Sequence, residues 1–172
     1  MKLVRETISF ERGGDPKEVL GIGQRYLIEK WLEEMDISNY KINDDMSIDV
    51  KGDVEIKKLI EEIPEYIQFN YVSKDFSLFE NPNLKSLRGF PKKVGIDCLI
   101  TRNIKLQSFI GAPEYIEGSF YCRKLPNITS LEGFPKFIGK DLLLGNTTLN
   151  NISSQEIRKN CKIKGTIDRD GF

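Results

Sequence analysis

Between Val72 and Gly145 the apolar and polar positions of the chain recur every 22 residues. Phe76, Cys98, Phe120 and Leu142 form one apolar column, and Leu78, Ile100, Cys122 and Leu144 form a second two residues further on. Period-two spacing puts both columns on one face of a short strand, the face turned into the coil. Leu84, Leu106 and Ile128, then Leu87, Phe109 and Leu131, are placed to close the far side of each coil. Gly89, Gly111 and Gly133 stand two residues before Pro91, Pro113 and Pro135. Glycine permits backbone angles that a side chain forbids and proline fixes φ, so the chain turns there. A single coil of this kind cannot bury its apolar side alone. Stacked neighbours can, and the pattern predicts a solenoid of parallel strands.

The flanks carry other periods. Leu3, Thr7 and Phe10 share a helical face, which predicts a short helix from Lys2 to Phe10 ended by Gly13-Gly14. Asp15 as N-cap, Pro16 at the first helical position and Glu18 in a capping box open a second helix, which Gly21-Ile22-Gly23 is expected to interrupt. A stronger helix is predicted over residues 24–35, with Tyr26, Leu27, Ile28, Trp31, Leu32 and Met35 as its apolar stripe. The glycine pair raises a phosphate-binding loop, but no strand precedes it and no Lys-Ser/Thr follows. It also raises a helix-turn-helix, yet Glu29, Glu33, Glu34 and Asp36 on the reading helix would face phosphates. Alternation around Asp44-Asp45 predicts a β-hairpin from Tyr40–Asn43 and Met46–Val50, and Asp53 to Ile56 matches the opening of a first coil strand. Gln68-Phe69-Asn70-Tyr71 is inserted before the next coil. Ser153 with Glu156 opens a short helix toward Lys159, and one last strand is expected from Ile163 to Ile167. Asp168-Arg169-Asp170 then supplies a charged end that discourages end-to-end stacking.

The expected organisation is α+β. A helical cap plus hairpin occupies residues 1–49, the solenoid 50–152 and a C-terminal cap 153–172, all in one folded unit.

Strand positions between the inward columns point outward, about 4.8 Å from their equivalents in the next coil. Three ladders follow. The first reads Asp53, Asp75, Asp97, Ser119, Asp141, and the second Glu55, Ser77, Leu99, Tyr121, Leu143. The third reads Lys57, Phe79, Thr101, Arg123, Gly145. Stacked carboxylates at that spacing repel by about 1 kcal/mol per neighbouring pair even in water-like dielectric. Either hydrogen bonds to turn backbone or a basic partner must offset this. Phe79, Leu99, Tyr121 and Leu143 have no inward place in this register. Exposed aromatics beside Arg123 have the composition of an interface centre, unless a loop or the amino-terminal helix covers them.

Asn81 and Asn103 occupy the place where leucine-rich repeats carry an Asn that satisfies backbone groups in the turn after the strand, whereas Leu125 and Thr147 stand there in the next two blocks. The G-F-P-x-x-[VI]-G and S-L-x-G-F-P pattern resembles the short leucine-rich-repeat-like proteins encoded by tailed bacteriophages, over roughly residues 50–167. The segment I-S-F-E-R-G-G-D-P-K-E-V-L-G-I-G is similar to the leader that accompanies such repeats. The departure at Leu125 and Thr147 predicts a shallow, irregular solenoid, and the resemblance implies a small protein made during infection that binds, and can inhibit, a host or phage protein in the host cytoplasm.

Charge and chemistry narrow the rest. Twenty-six basic residues balance twenty-six acidic ones, which argues against a general nucleic-acid binder. A local patch of Arg88, Lys92, Lys93, Arg102 and Lys105 keeps nucleic-acid binding as the alternative. No apolar run is long enough to span a membrane, and Met1-Lys2-Leu3-Val4-Arg5-Glu6 lacks a signal-peptide core. The three cysteines have no C-x-x-C spacing, and there is no histidine. Cys98 and Cys122 read as reduced core residues, with Cys161 nearer an end. No cofactor, metal or catalytic group is expected, and the chain is expected to bind protein in the cytoplasm, its oligomeric state left open with a monomer favoured.

Overall fold

The structure, a computed structural model, describes residues 16–170 of the chain. The helix expected over Lys2–Phe10 and the Asp15 cap lie outside the described residues. Helix α1, Pro16–Glu34, begins at the proline and runs without a break through Gly21 and Gly23. The expected interruption is absent because two isolated glycines weaken a helix by only about 1 kcal/mol each. Burial of Ile28, Trp31 and Leu32 offsets that cost. The glycine N–H groups lie inside the helix, so neither a phosphate loop nor a two-helix DNA reader is built there. Asp36, at φ 58°, ends the helix: its N–H reaches Glu33 O at 3.0 Å and Ile37 N–H reaches Leu32 O at 2.9 Å. This is the bond pair of a Schellman stop, with buried Leu32 and Ile37 as its apolar contact.

The hairpin forms as expected, with β1 (Tyr40–Ile42) antiparallel to β2 (Ile48–Val50). Coil strands follow in pairs. They are β3 (Val54–Glu55), β4 (Phe69–Val72), β5 (Phe76–Ser77), β6 (Lys93–Val94), β7 (Cys98–Leu99), β8 (Tyr115–Ile116), β9 (Phe120–Tyr121), β10 (Phe137–Ile138) and β11 (Leu142–Leu143). A 3-10 turn (Thr148–Asn151) and helix α2 (Ser154–Asn160) precede β12 (Lys162–Ile163) and β13 (Ile167–Asp168). Ser153 caps α2 by accepting the Glu156 N–H at 3.1 Å.

Each coil thus contributes two strands, where the 22-residue period pointed to one. One parallel stack runs β3-β5-β7-β9-β11-β13, and the other runs β2-β4-β6-β8-β10-β12 with β1 added antiparallel at its edge. The single strand expected at Ile163–Ile167 is likewise split between the two stacks. The result is a β-solenoid of about six coils. Residues 68–71 are absorbed where β2 meets β4. The register shifts there by one residue, and Phe69 turns inward against Trp31 (centroids 6.2 Å) and Phe76 (5.8 Å).

Both inward columns are fully buried, as are Leu84, Leu87, Phe109 and Ile128. One continuous apolar cluster runs from Ile28 to Ile163. Asn103 is buried within it: its amide donates to Leu78 O (2.8 Å) and Ile100 O (2.7 Å), and its oxygen accepts the Asn81 N–H (2.9 Å). The expected backbone-satisfying role therefore holds at Asn103. At Asn81, where the preceding coil is irregular, Oδ1 is left without a partner. Gly89, Gly111 and Gly133 turn the chain at φ 84°, 92° and 77°. Gly95 and Gly139 have another task. A Cβ at either would collide with the carbonyl of Ser73 or Glu117 one coil back, so adjacent coils touch backbone to backbone.

Candidate functional site

The outward side of the β3-to-β13 stack carries the candidate residues. Its first ladder is built into the fold. Asp53 Oδ1 accepts the Asp75 N–H at 3.2 Å, Asp75 Oδ1 the Asp97 N–H at 2.9 Å, and Asp97 Oδ1 the Ser119 N–H at 2.6 Å. Ser119 Oγ accepts the Asp141 N–H at 3.4 Å. Asp141 Oδ1 then takes both the N–H (2.7 Å) and the hydroxyl (2.9 Å) of Thr166. These two bonds, the backbone one foremost, hold the Asp141 carboxyl below the usual carboxylate range. Hydrogen bonds to an ionised acceptor are roughly twice as strong as neutral ones. They offset the like-charge repulsion, so no basic partner is needed for the ladder to stand.

The second ladder is in register, Ser77 beside Leu99, Tyr121 and Leu143. Leu99, Tyr121 and Leu143 are half-buried, and Glu55 at the near end is exposed and 3.4 Å from Lys57. In the third ladder Phe79 is 47% exposed, and the Thr101 hydroxyl donates to Tyr121 O at 3.4 Å. Arg123 is not a free cation at the centre of this face. With Gly145 as the next rung of its ladder, it reaches Asp168 two coils on at 2.5 Å, and its side chain is only 17% exposed. Its Nε is buried without a partner. The sequence could not show this pairing, because its halves lie 45 residues apart.

The five residues of the basic patch do not form an open stripe. Arg88 lies 3.4 Å from Glu62 and 3.8 Å from Glu65, Lys93 pairs with Glu117 at 2.9 Å, and Arg102 pairs with Glu80. Lys105 donates to Asn83 at 3.0 Å. Among the described residues no His, Cys, Asp or Glu side chains gather as a metal site would, and no helix is long and apolar enough to cross a membrane.

The period-based reading missed the outward face of the other stack. There Tyr71, Lys93, Tyr115 and Phe137 share one line. The available signal was the apolar column Val72, Val94, Ile116, Ile138 that follows these residues, which marks a second inward position per coil.

All three cysteines are reduced and buried. Burial raises the thiol of Cys98 and that of Cys122 far above the usual thiol value, and pushes Cys161 up to about 12. Because the thiolate is the reactive form, a native-state thiol reagent should leave Cys98 and Cys122 untouched and label Cys161 slowly, through fraying of the last coil. Labelling followed by mass spectrometry checks this. Rapid native modification of Cys98 would remove it from the inward column.

No protein-family model matches the chain, and no curated protein or solved structure is significantly similar to it.

Proposed function

We propose that this chain is a non-catalytic protein-binding module whose partner docks on the outward side of the β3-to-β13 stack. The observation that carries this reading is the apolar rung set Phe79, Leu99, Tyr121 and Leu143, left partly open to solvent on a backbone held rigid by the carboxylate ladder beside it. Six strands at about 4.8 Å span about 24 Å, close to the edge of the ~800 Å² that each partner contributes to a standard interface. Tyrosine is among the residues that most often dominate such interfaces. The alternative, nucleic-acid binding through Arg88, Lys92, Lys93, Arg102 and Lys105, is weakened by the carboxylates already paired with Arg88, Lys93 and Arg102.

In this reading α1 closes the first coil, and the solenoid is of the leucine-rich-repeat-like kind found in tailed bacteriophages. The partner is a host or phage protein in the host cytoplasm, which binding either inhibits or scaffolds. The experiment is affinity purification from infected cells with the tagged chain, then titration of the recovered partner. Tyr121→Ala should weaken binding by about 2 kcal/mol, the scale of an interface hot spot. It should change stability by less than about 1 kcal/mol, as a partly exposed side chain does. Unchanged affinity together with a stability loss of several kcal/mol would show that the rung belongs to the fold and not to an interface.

A further inference from the structure

The other stack has an outward face of different chemistry. Tyr71, Lys93, Tyr115, Phe137 and Lys162 lie side by side in one parallel register. Aromatic rings and cations are interleaved along this line. The Lys93 ammonium is 6.0 Å from the Tyr71 ring centroid, the Tyr115 and Phe137 rings are 6.5 Å apart, and the Lys164 ammonium is 5.4 Å over Phe137. Tyr115 is 46% exposed. Between Tyr71 and Tyr115 opens a cleft of about 300 Å³, lined also by Asn70, Lys92, Lys93 and Glu114, whose carboxylate is taken by Lys136. That volume is at the bottom of the range for small-molecule pockets and suits one side chain better than a whole ligand.

The charges on this face do not cancel. Lys93 pairs with Glu117 at 2.9 Å and Lys136 with Glu114 at 2.5 Å. Exposed Lys92, Lys162 and Lys164 make no ion pair among the described residues. In a chain whose total charge is zero, this is a local positive excess set among aromatic rungs.

We propose that this face is a second docking surface, for an extended acidic polypeptide segment that seats an aromatic or aliphatic side chain between Tyr71 and Tyr115. From Tyr71 to Lys162 is four rung spacings, about 19 Å, which an extended segment covers with about six residues. Its carboxylates meet Lys92, Lys162 and Lys164, and its apolar side chain fills the cleft. Charge complementarity of this kind sets partner choice and on-rate. Single-stranded nucleic acid fits less well. Glu114 and Glu117 flank Tyr115 on the central rung, and a backbone with a charge at every unit has to pass them. A peptide can place uncharged residues there.

The site is independent of the one on the β3-to-β13 stack, and the test separates them. Fluorescence anisotropy of a labelled Glu/Tyr copolymer, of polyglutamate and of oligo-dT is followed as the full chain is added. The copolymer should bind, with polyglutamate about tenfold weaker for want of the aromatic, and binding should fall as salt rises. Tyr115→Ser and Lys164→Glu, both at exposed positions, should each weaken copolymer binding about fivefold or more with melting temperature kept. Tyr121→Ala should leave it unchanged. Three results overturn the proposal: no copolymer binding, binding indifferent to Tyr115→Ser and Lys164→Glu, or oligo-dT binding at least as tight as the copolymer.

Discussion

Phe120→Ala should lower stability by about 3–5 kcal/mol, the loss seen when a large aromatic is removed from a packed core. Phe120 is 0% exposed, and its ring lies 5.9 Å from Phe109 and 5.8 Å from Phe134, which are themselves 5.0 Å apart. Each such edge-on or tilted pair contributes about 0.5–1.5 kcal/mol beyond its buried area. Truncation therefore removes two of the three contacts in the cluster and leaves a void. The neighbouring strands cannot collapse into it, because their separation is fixed by ladder hydrogen bonds on both sides. In a stack, stability is close to a sum of neighbour terms, so the coils on either side should loosen as well. Denaturant unfolding measures the loss. A value below about 1 kcal/mol would mean that the ring is not a core element.

Asn103→Ala is expected to cost about 3 kcal/mol or more, although it removes far less volume. The side chain serves three buried backbone groups, Leu78 O, Ile100 O and Asn81 N–H. Each group left without a partner costs about 1–3 kcal/mol. Leu125, buried at the equivalent place one coil on, shows that an apolar side chain fits the space. Asn103→Leu thus separates packing from polarity: it refills the volume, and it should still be destabilising because the three groups stay orphaned. If both variants unfold within about 1 kcal/mol of the native chain, water or a backbone shift has taken over the role.

What could be read beforehand follows from what repeats. Every residue of the two long apolar columns, from Phe76 to Leu144, is buried as its 22-residue recurrence required. A column needs only identical neighbours, and the sequence contains those. From β6 onward the second strand of each coil escaped because only one of its two residues is buried or turned inward, such as Val94 or Ile116. A strand of two residues is too short to display alternation. Gly21 and Gly23 misled because propensity is local, whereas α1 is held by Trp31 and Leu32 packing into the core. The outward ladders were legible as positions but not as states. Whether an Asp is bonded to the next coil, or whether Arg123 is free or tied to Asp168, depends on contacts that no period encodes.

The backbone contacts at Gly95 and Gly139 make the solenoid a ruler. Where a side chain would set the gap between coils, the pitch could drift from one coil to the next. Here carbonyl against glycine sets it, so the outward ladders are graduated at a constant interval near 4.8 Å. A straight helix laid along the axis advances about 5.4 Å per turn. It gains about 0.6 Å on the rungs at each turn and is more than half a rung out of phase after five. Such a helix can keep two or three turns in step with the marks before side chains meet ridges instead of gaps. Another stack of strands, laid parallel with the same interval, keeps step over the full length.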